Sequence, residues 1–409
     1  MENSPPTSQK TAEISLLKNR NFMLLWSGQL VSSMGTTITN IAIPLIVLAI
    51  TGSAFQAGSI AAIRGAVYAL WAIPAGALID RWNRKTVMVI ANLGSGLAIG
   101  SIYVALLLKH LTIPQLYVIG AIEGSFFVFA SLARFTAFPR VVTKKQFPAA
   151  VAQTSIANNL AVLIGPLLGG LLFQIVGAAF AFLADSLSYF VNAISIFFIN
   201  VPLQLESTTL KKDLHKEVLE GMLFLWRQPM VRFLNLLSAG RAMLESGLYL
   251  LIIVIAKEHY ASPLIIGSIF AIGAIGGIIG ASLASHIHKR FSFGTLLRMA
   301  SILNFLVFTL YAFASNELVL AFITAALFAI VPIFEITSAT YTVSVVPDAI
   351  RGRILSLTRL VMLGANSLGV FVTGILLHFV GSTITIVIFS CLLLILALAV
   401  IFNKPLRQI

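Results

Sequence analysis

Seven ionisable side chains stand inside long apolar stretches of this sequence: the acids Glu123, Asp185, Glu245 and Glu335, and the bases Arg64, Arg134 and Arg241. A charge in such surroundings costs a few kcal/mol, so each is a candidate for carrying a proton or holding a counter-charge. Arg241 and Glu245 stand four apart, the spacing at which side chains meet on a helix. Glu123, Phe127, Ala130 and Arg134 share one helical face. Arg64 and Glu123 each lie about 14 residues, roughly 21 Å, from the same end of their stretches, so their depths match and they can pair. Such pairs either titrate or only hold helices together, and the residues alone leave both readings open. Asp185 lies toward one end of its stretch, where a structural role is expected. Glu335 follows Pro332 and is either a proton site or a partner for a loosened helix turn.

A polar stripe of Gln29, Ser33, Thr36 and Asn40 runs along one face of the first stretch; it would line a wet cavity or bond helices together. Phe127 could stack on a bulky apolar compound, and joins the stripe as a candidate cavity-lining residue. The histidines lack metal-ligand spacing and Cys391 stands alone, so no metal site and no intrachain disulfide are expected. There is no Gly-rich phosphate loop ending in Lys-Ser/Thr, which argues against ATP as an energy source. No catalytic residue and no cofactor are expected.

The elements that must hold these side chains follow from composition. Of 409 residues, 58% are apolar and 10% charged, with a mean hydropathy of +0.98. A soluble domain carries about 25% charged residues. A soluble enzyme, a nucleic-acid binder and a disordered chain are therefore excluded, despite a net charge of +13. About 20 apolar residues span a bilayer as a helix. Twelve such segments are expected, at roughly 22–50, 54–78, 86–108, 114–137, 149–174, 178–200, 230–256, 263–284, 295–314, 318–340, 353–378 and 383–402. The first 20 residues are polar, so no cleavable signal peptide is expected. A polar stretch near 203–221 divides the chain into a six-helix bundle over 1–202, a linker over 203–228 and a second six-helix bundle over 229–409.

With both termini on one side, that side collects 22 bases, while the other loops hold only Lys109 and Lys257. Such an asymmetry predicts cytoplasmic termini and a multi-pass protein of the inner membrane. The halves also resemble each other. A shift of 204 puts Gly165, Gly170 and Gly177 on Gly369, Gly374 and Gly381, and a shift of 209 puts Gly58-Ser59-Ile60 on Gly267-Ser268-Ile269. Two repeats with a site between them is a transporter arrangement.

After the second segment the chain reads Gly76-Ala-Leu-Ile-Asp80-Arg81-Trp-Asn-Arg84-Lys85. This resembles the signature loop of the major facilitator superfamily, with Asn83 where that family usually has Gly. The matching loop of the second half keeps Lys289-Arg290 but has Ser285 in place of the acid. Gly165-Pro166-Leu-Leu-Gly169-Gly170 is similar to the antiporter motif of that superfamily's drug exporters, with Ala152 and Ala161 at its upstream glycines. Asn19-Arg-Asn-Phe22, Thr51-Gly-Ser53, Arg64 and Asp185-Ser-Leu-Ser188-Tyr189-Phe190 resemble the branch that holds macrolide-efflux proteins and the enterobactin exporter.

The resemblance implies an all-α membrane protein, with helices 1, 4, 7 and 10 around a central cavity. It implies a proton-coupled exporter of bulky, largely apolar small molecules, working as a monomer by alternating access, with substrate, protons and membrane lipid as partners and no nucleic acid. In it Asp80, with Gly76, Arg81, Arg84 and Lys85, latches the cytoplasmic side to helix 11, and Arg134 is the expected partner of Asp80. Gly165, Pro166, Gly169 and Gly170 would form a seam with the glycine-rich eighth segment (Gly273, Gly276, Gly277, Gly280). The rival readings are a dedicated exporter of a siderophore or lipid-like metabolite, and a non-transporting sensor or scaffold.

Overall fold

The computed structural model describes residues 16–143, 145–204, 223, 226–403 and 406. Twelve helical spans follow one another: α1 (Arg20–Thr51), α2 (Ala54–Arg81), α3 (Arg84–Leu107), α4 (Ile113–Val141), α5 (Phe147–Ile175), α6 (Ala178–Phe197), α7 (Pro229–Glu258), α8 (Pro263–Ile287), α9 (Phe293–Thr309), α10 (Glu317–Val345), α11 (Asp348–Phe379) and α12 (Gly381–Phe402). Eleven are long and apolar enough to cross a membrane; α2, bent by 58° between Ala54–Trp71 and Pro74–Arg81, makes twelve if its two arms are one span. No strand occurs among the described residues. Most of the expected linker, including Lys211, Lys212 and Lys216, lies outside them.

The helix ends are written locally. Ser53, Thr112, Ser262, Ser292 and Asn316 each accept a first-turn amide of the helix that follows, satisfying donors that hydrocarbon or headgroups would leave bare. Asn83 does the same for α3, accepting the Thr86 amide at 3.2 Å. That is what the asparagine does where the resembled loop usually has glycine. Gly52 ends α1 with φ 65, a conformation that glycine adopts without strain.

The two halves are built on one plan. In the first, Gly165 of α5 leaves room for Thr37 and Met34 of α1, and Thr37 Oγ1 donates to the carbonyls of Met34 (2.8 Å) and Ala161 (3.1 Å). In the second, Gly369 of α11 leaves room for Ser246 and Met243 of α7, and Ser246 Oγ donates to the carbonyls of Met243 (3.0 Å) and Asn366 (2.8 Å). Those glycines are 204 apart, and the methionines 209 apart. The seams between halves repeat the same relation. A Cβ on Gly58 of α2 would meet the Gly374 Cα of α11 at 2.8 Å. Their repeat mates sit on the other seam, where Gly267 of α8 faces the Pro166 carbonyl of α5 and Gly170 faces the Pro263 carbonyl.

Only part of the expected α5–α8 seam is thus present. Pro166 and Gly170 meet α8, but Gly165 and Gly169 face Thr37 and Ile38 of α1. The α8 glycines behave likewise: Gly273, Gly276 and Gly280 lie against α10 at Thr324, Ala325 and Ala329. The cause is helical periodicity. Residues four apart share a face, while neighbours point about 100° apart, so a glycine cluster serves two partners.

The half-to-half contacts gather at the end away from Leu16 and Leu406. Phe55 packs on Phe371 and His378, and Gln174 Oε1 accepts the Leu264 amide at 3.1 Å. These contacts of Phe55 and Gln174 close the bundle at the end away from the termini. A Cβ on Gly76, near the end carrying the termini, would meet nothing within 4 Å, and neither would one on Gly364 at the middle of α11. Gly58→Val is expected to cost about 1–3 kcal/mol by overpacking, read as a lowered melting temperature in detergent. Gly76→Ala should be neutral or stabilising by up to about 1 kcal/mol, because its methyl enters open space.

Candidate functional site

In the first half Arg64 and Glu123 belong to one network with Tyr189 and Thr36. Arg64 Nε of α2 lies 2.8 Å from Glu123 Oε2 of α4. Tyr189 of α6 donates its hydroxyl to Glu123 Oε1 at 2.7 Å, and that hydroxyl lies 3.3 Å from Thr36 Oγ1 of α1. Phe127 lies under the Arg64 guanidinium at 4.5 Å, so it is an arginine platform. Gly124 lets the Arg64 backbone come close. Nearby, buried Asp185 accepts from Thr39 Oγ1 at 2.5 Å and from Ser188 Oγ at 3.3 Å. Four helices are tied together and both acids are occupied.

A cavity of about 690 Å³ lies elsewhere. Among the described residues it is lined by α7, α10 and α11 of the second half. Its charged wall is Arg241, Glu245 and Glu335. Arg241 Nη2 lies 2.5 Å from Glu245 Oε1, which also accepts from Asn304 Nδ2 at 3.3 Å. The guanidinium sits 3.7 Å over the Phe334 ring, and its Nη1 has no hydrogen-bond partner. Glu335 differs from the other three acids: it is exposed in the cavity wall and, among the described residues, no ion pair or hydrogen bond holds it.

None of the expected cavity residues Gln29, Ser33, Thr36, Asn40 or Phe127 lines this cavity. Gln29 Nε2 donates to Ser33 Oγ along α1, Thr36 joins the tyrosine network and Asn40 is exposed. The stripe that does face a cavity is on α7: Asn235, Ser238, Ala242, Glu245 and Tyr249, alternately three and four apart. Glu335, Ser338 and Thr342 on α10, and Thr358, Met362 and Asn366 on α11, complete it. The rule that picked out the α1 stripe would have found them, because polar residues at helical spacing in an apolar span are the signal.

The loop between α2 and α3 is partly spent on anchoring. Arg84 is buried and its Nη1 donates to the carbonyls of Thr136 (3.2 Å) and Leu203 (3.4 Å). Lys85 Nζ donates to the Ile199 carbonyl at 2.8 Å. Asp80 is 69% exposed and lies 3.7 Å from Arg84. No ion pair joins it to Arg134 among the described residues: Arg134 stands two turns, about 10 Å, above the end of α4, while Asp80 is in the last turn of α2.

The sequence profile described as Major Facilitator Superfamily matches residues 25–362. The chain belongs to the major facilitator superfamily. Within the superfamily it is similar to the enterobactin exporter EntS of Escherichia coli O1:K1 / APEC, 23% identical over 363 residues that cover 88% of this chain and 86% of that protein. The EntS of Escherichia coli O81 (strain ED1a) is 24% identical over the same coverage. Among solved structures, a bacterial homologue of the iron transporter ferroportin in its inward-facing state shares the fold at a TM-score of 0.74, with 16% identity over 95% of this chain and 99% of that one. An inward-facing, unoccupied bacterial homologue of the lysosomal transporter Spinster does so at 0.74, with 15% identity over 95% and 97%. Family and fold are those of transporters, not enzymes.

Removing one member of a buried ion pair strands the other. Arg64→Met is expected to destabilise the protein by about 3 kcal/mol, and Arg64→Met with Glu123→Gln to recover most of it. Thermal unfolding of the single and double variants in detergent measures this coupling.

Proposed function

We propose that this chain is a proton-coupled exporter of bulky, largely apolar small molecules, acting as a monomer in the inner membrane with both termini cytoplasmic. In that orientation the closed end faces away from the cytoplasm, and the second-half cavity would receive substrate from the cytoplasmic side. The observation that carries this reading is Glu335. Among the described residues it is the one intramembrane acid of the four with no ion pair or hydrogen bond, and it stands in the wall of the cavity beside the Arg241–Glu245 pair. An acid so placed can give its proton to the cytoplasm when the cavity is open, take up substrate contact, and be reprotonated from the far side once the bundle has swung. Ligands move such an equilibrium only by binding the two states differently, and a protonated Glu335 differs from an ionised one in its demand for water. Glu123, Glu245 and Asp185 then serve as holding acids for their halves.

Asp80 supports the gating part of the reading. It is exposed and only loosely paired, so it is free to leave Arg84 and reach the first turn of α11 when the cytoplasmic side closes. A carboxylate there meets the positive end of the helix. A second reading has its own support: the similar proteins are named as exporters of enterobactin, and a cavity lined by Ser338 and Arg241, whose Oγ and Nη1 have no hydrogen-bond partner among the described residues, offers polar groups to a siderophore.

Accumulation of macrolides, lipophilic cations and catecholate siderophores in cells, with and without a protonophore, tests both. Efflux of an apolar class that the protonophore abolishes supports the first; efflux of siderophores alone supports the second. For the exported compound, Glu335→Gln should lower pH-jump-driven transport in proteoliposomes by tenfold or more, on the order of a lost proton-transfer group, while binding persists. Asp80→Asn should slow transport without loss of insertion. Unchanged rates in Glu335→Gln would move the coupling to another acid. A reporter fused after Ile409 should read cytoplasmic.

A further inference from the structure

A second cavity, of about 580 Å³, lies outside the central pathway. It is a groove between the last turn of α2 and the start of α3, floored by Phe126 and Phe129 of α4. It shares no residue with the second-half cavity. Val87, Ile90 and Ala91 line it along one face of α3. Ile90 is 57% exposed, and the same helix shows Leu93 and Leu97 to its surroundings, so the groove opens onto an apolar outer band. In a membrane that band is lipid.

The mouth of the groove is charged and aromatic. Arg81 stands there, exposed, with no ion pair or hydrogen bond among the described residues. Its neighbours are otherwise engaged: Asp80 faces Arg84, Arg84 holds two carbonyls, and Lys85 holds the Ile199 carbonyl. The Arg84 amide donates to Gln204 and the Thr86 amide to Asn83, so these donors of α3 are taken too. What remains open is the Arg81 guanidinium. Trp82 lies beside it, 47% exposed and stacked on Phe129 at 6.1 Å. A half-exposed tryptophan at a span end marks the headgroup level.

We propose that this groove is a binding site for an anionic phospholipid of the leaflet on the terminus side. Arg81 takes the phosphate, Trp82 stands at the glycerol level and an acyl chain lies along Val87, Ile90 and Phe126. Basic pockets between helices at the cytoplasmic face bind anionic headgroups by this chemistry, and a guanidinium that pairs with no carboxylate among the described residues, its neighbour Asp80 facing Arg84, favours a net-negative headgroup over a zwitterionic one. The lipid would sit against the loop that carries Asp80, so the gate and the leaflet composition are in contact. Assignment of the leaflet to the cytoplasm rests on the orientation proposed above, but the site itself does not.

The test is lipid retention, which is independent of transport and of orientation. Purified full-length protein in mild detergent is exposed to phosphatidylglycerol or to phosphatidylcholine of the same acyl length, and bound lipid is counted by native mass spectrometry. Wild type should retain phosphatidylglycerol in preference to phosphatidylcholine. Arg81→Ala should lower that occupancy about fivefold, the weight of one basic side chain at an anionic surface; Arg81→Lys should keep most of it, and Arg290→Ala, a surface charge elsewhere, should keep all of it. Ile90→Trp should lower occupancy with Arg81 intact, because it fills the groove. Equal retention of the two lipids by wild type would overturn the site, as would unchanged occupancy in Arg81→Ala. Loss in Arg81→Ala with none in Ile90→Trp would reduce it to surface charge and overturn the groove.

Discussion

Hydrocarbon offers no hydrogen bonds, so polar groups inside this bundle must find partners on their own helix or a neighbouring one, and short side chains reach a neighbour only when backbones come close. Glycine and charge therefore occur together. Gly35 sits where any larger residue would strike Asp185 and Ser188, and Gly124 follows Glu123 where α4 crosses the Arg64 backbone. Gly28 makes room for Asn192, which donates to Asn92 at 2.8 Å. Remove the small residues and the helices part by the width of a side chain; the carboxylates would then lose the hydroxyls and the guanidinium that make their burial tolerable. The seams at Gly58–Gly374 and at Gly170 and Gly267 use the same close approach without charge, with the Leu264 amide donating to Gln174 at the end of the second.

Depth was legible in the sequence and azimuth was not. Counting residues along apolar segments put Arg64 level with Glu123, and the structure brings them to 2.8 Å. The four-residue spacing of Arg241 and Glu245 is a property of one helix, and they meet at 2.5 Å. The twelve segments were readable because hydropathy depends on composition alone. Which way a face turns depends on neighbours far away in the chain. The α1 stripe and the α7 stripe look alike as strings of letters, yet one is folded against α6 and the other lines the cavity. The α8 glycines suggested α5 and serve α10 for the same reason. Arg134 was matched to Asp80 by the resemblance and by its place in the inner part of its segment, and no ion pair joins them among the described residues.

The duplicated plan has been kept in the scaffold and abandoned in the interior. Gly165 on Thr37 and Gly369 on Ser246 are the same contact made twice, and the two glycine seams are likewise a pair. Inside, Tyr189 fills the first half and closes a network around Glu123, while the second half holds space between α7, α10 and α11. Repeats constrain how the halves turn on each other; they leave each half free to acquire its own chemistry. In the proposed cycle the first half acts as a stiff lever and the second as the vessel.

The break at Gly247 divides α7 into a polar arm and the arm Leu248–Glu258, where Leu248, Leu250, Leu251, Ile252, Ile253, Ile255 and Ala256 are all buried. A helix apolar on every side is a stopper. It is wedged at the sealed end, with Tyr249 stacked on Phe270 at 4.7 Å. Unsealing that end means wetting it. Exposing a large aliphatic side chain to water costs about 1.5–3 kcal/mol, so baring three or four of them costs on the order of 5–10 kcal/mol. Wetting this plug therefore opposes the opening of that end, and the work of opening it has to arrive with whatever binds.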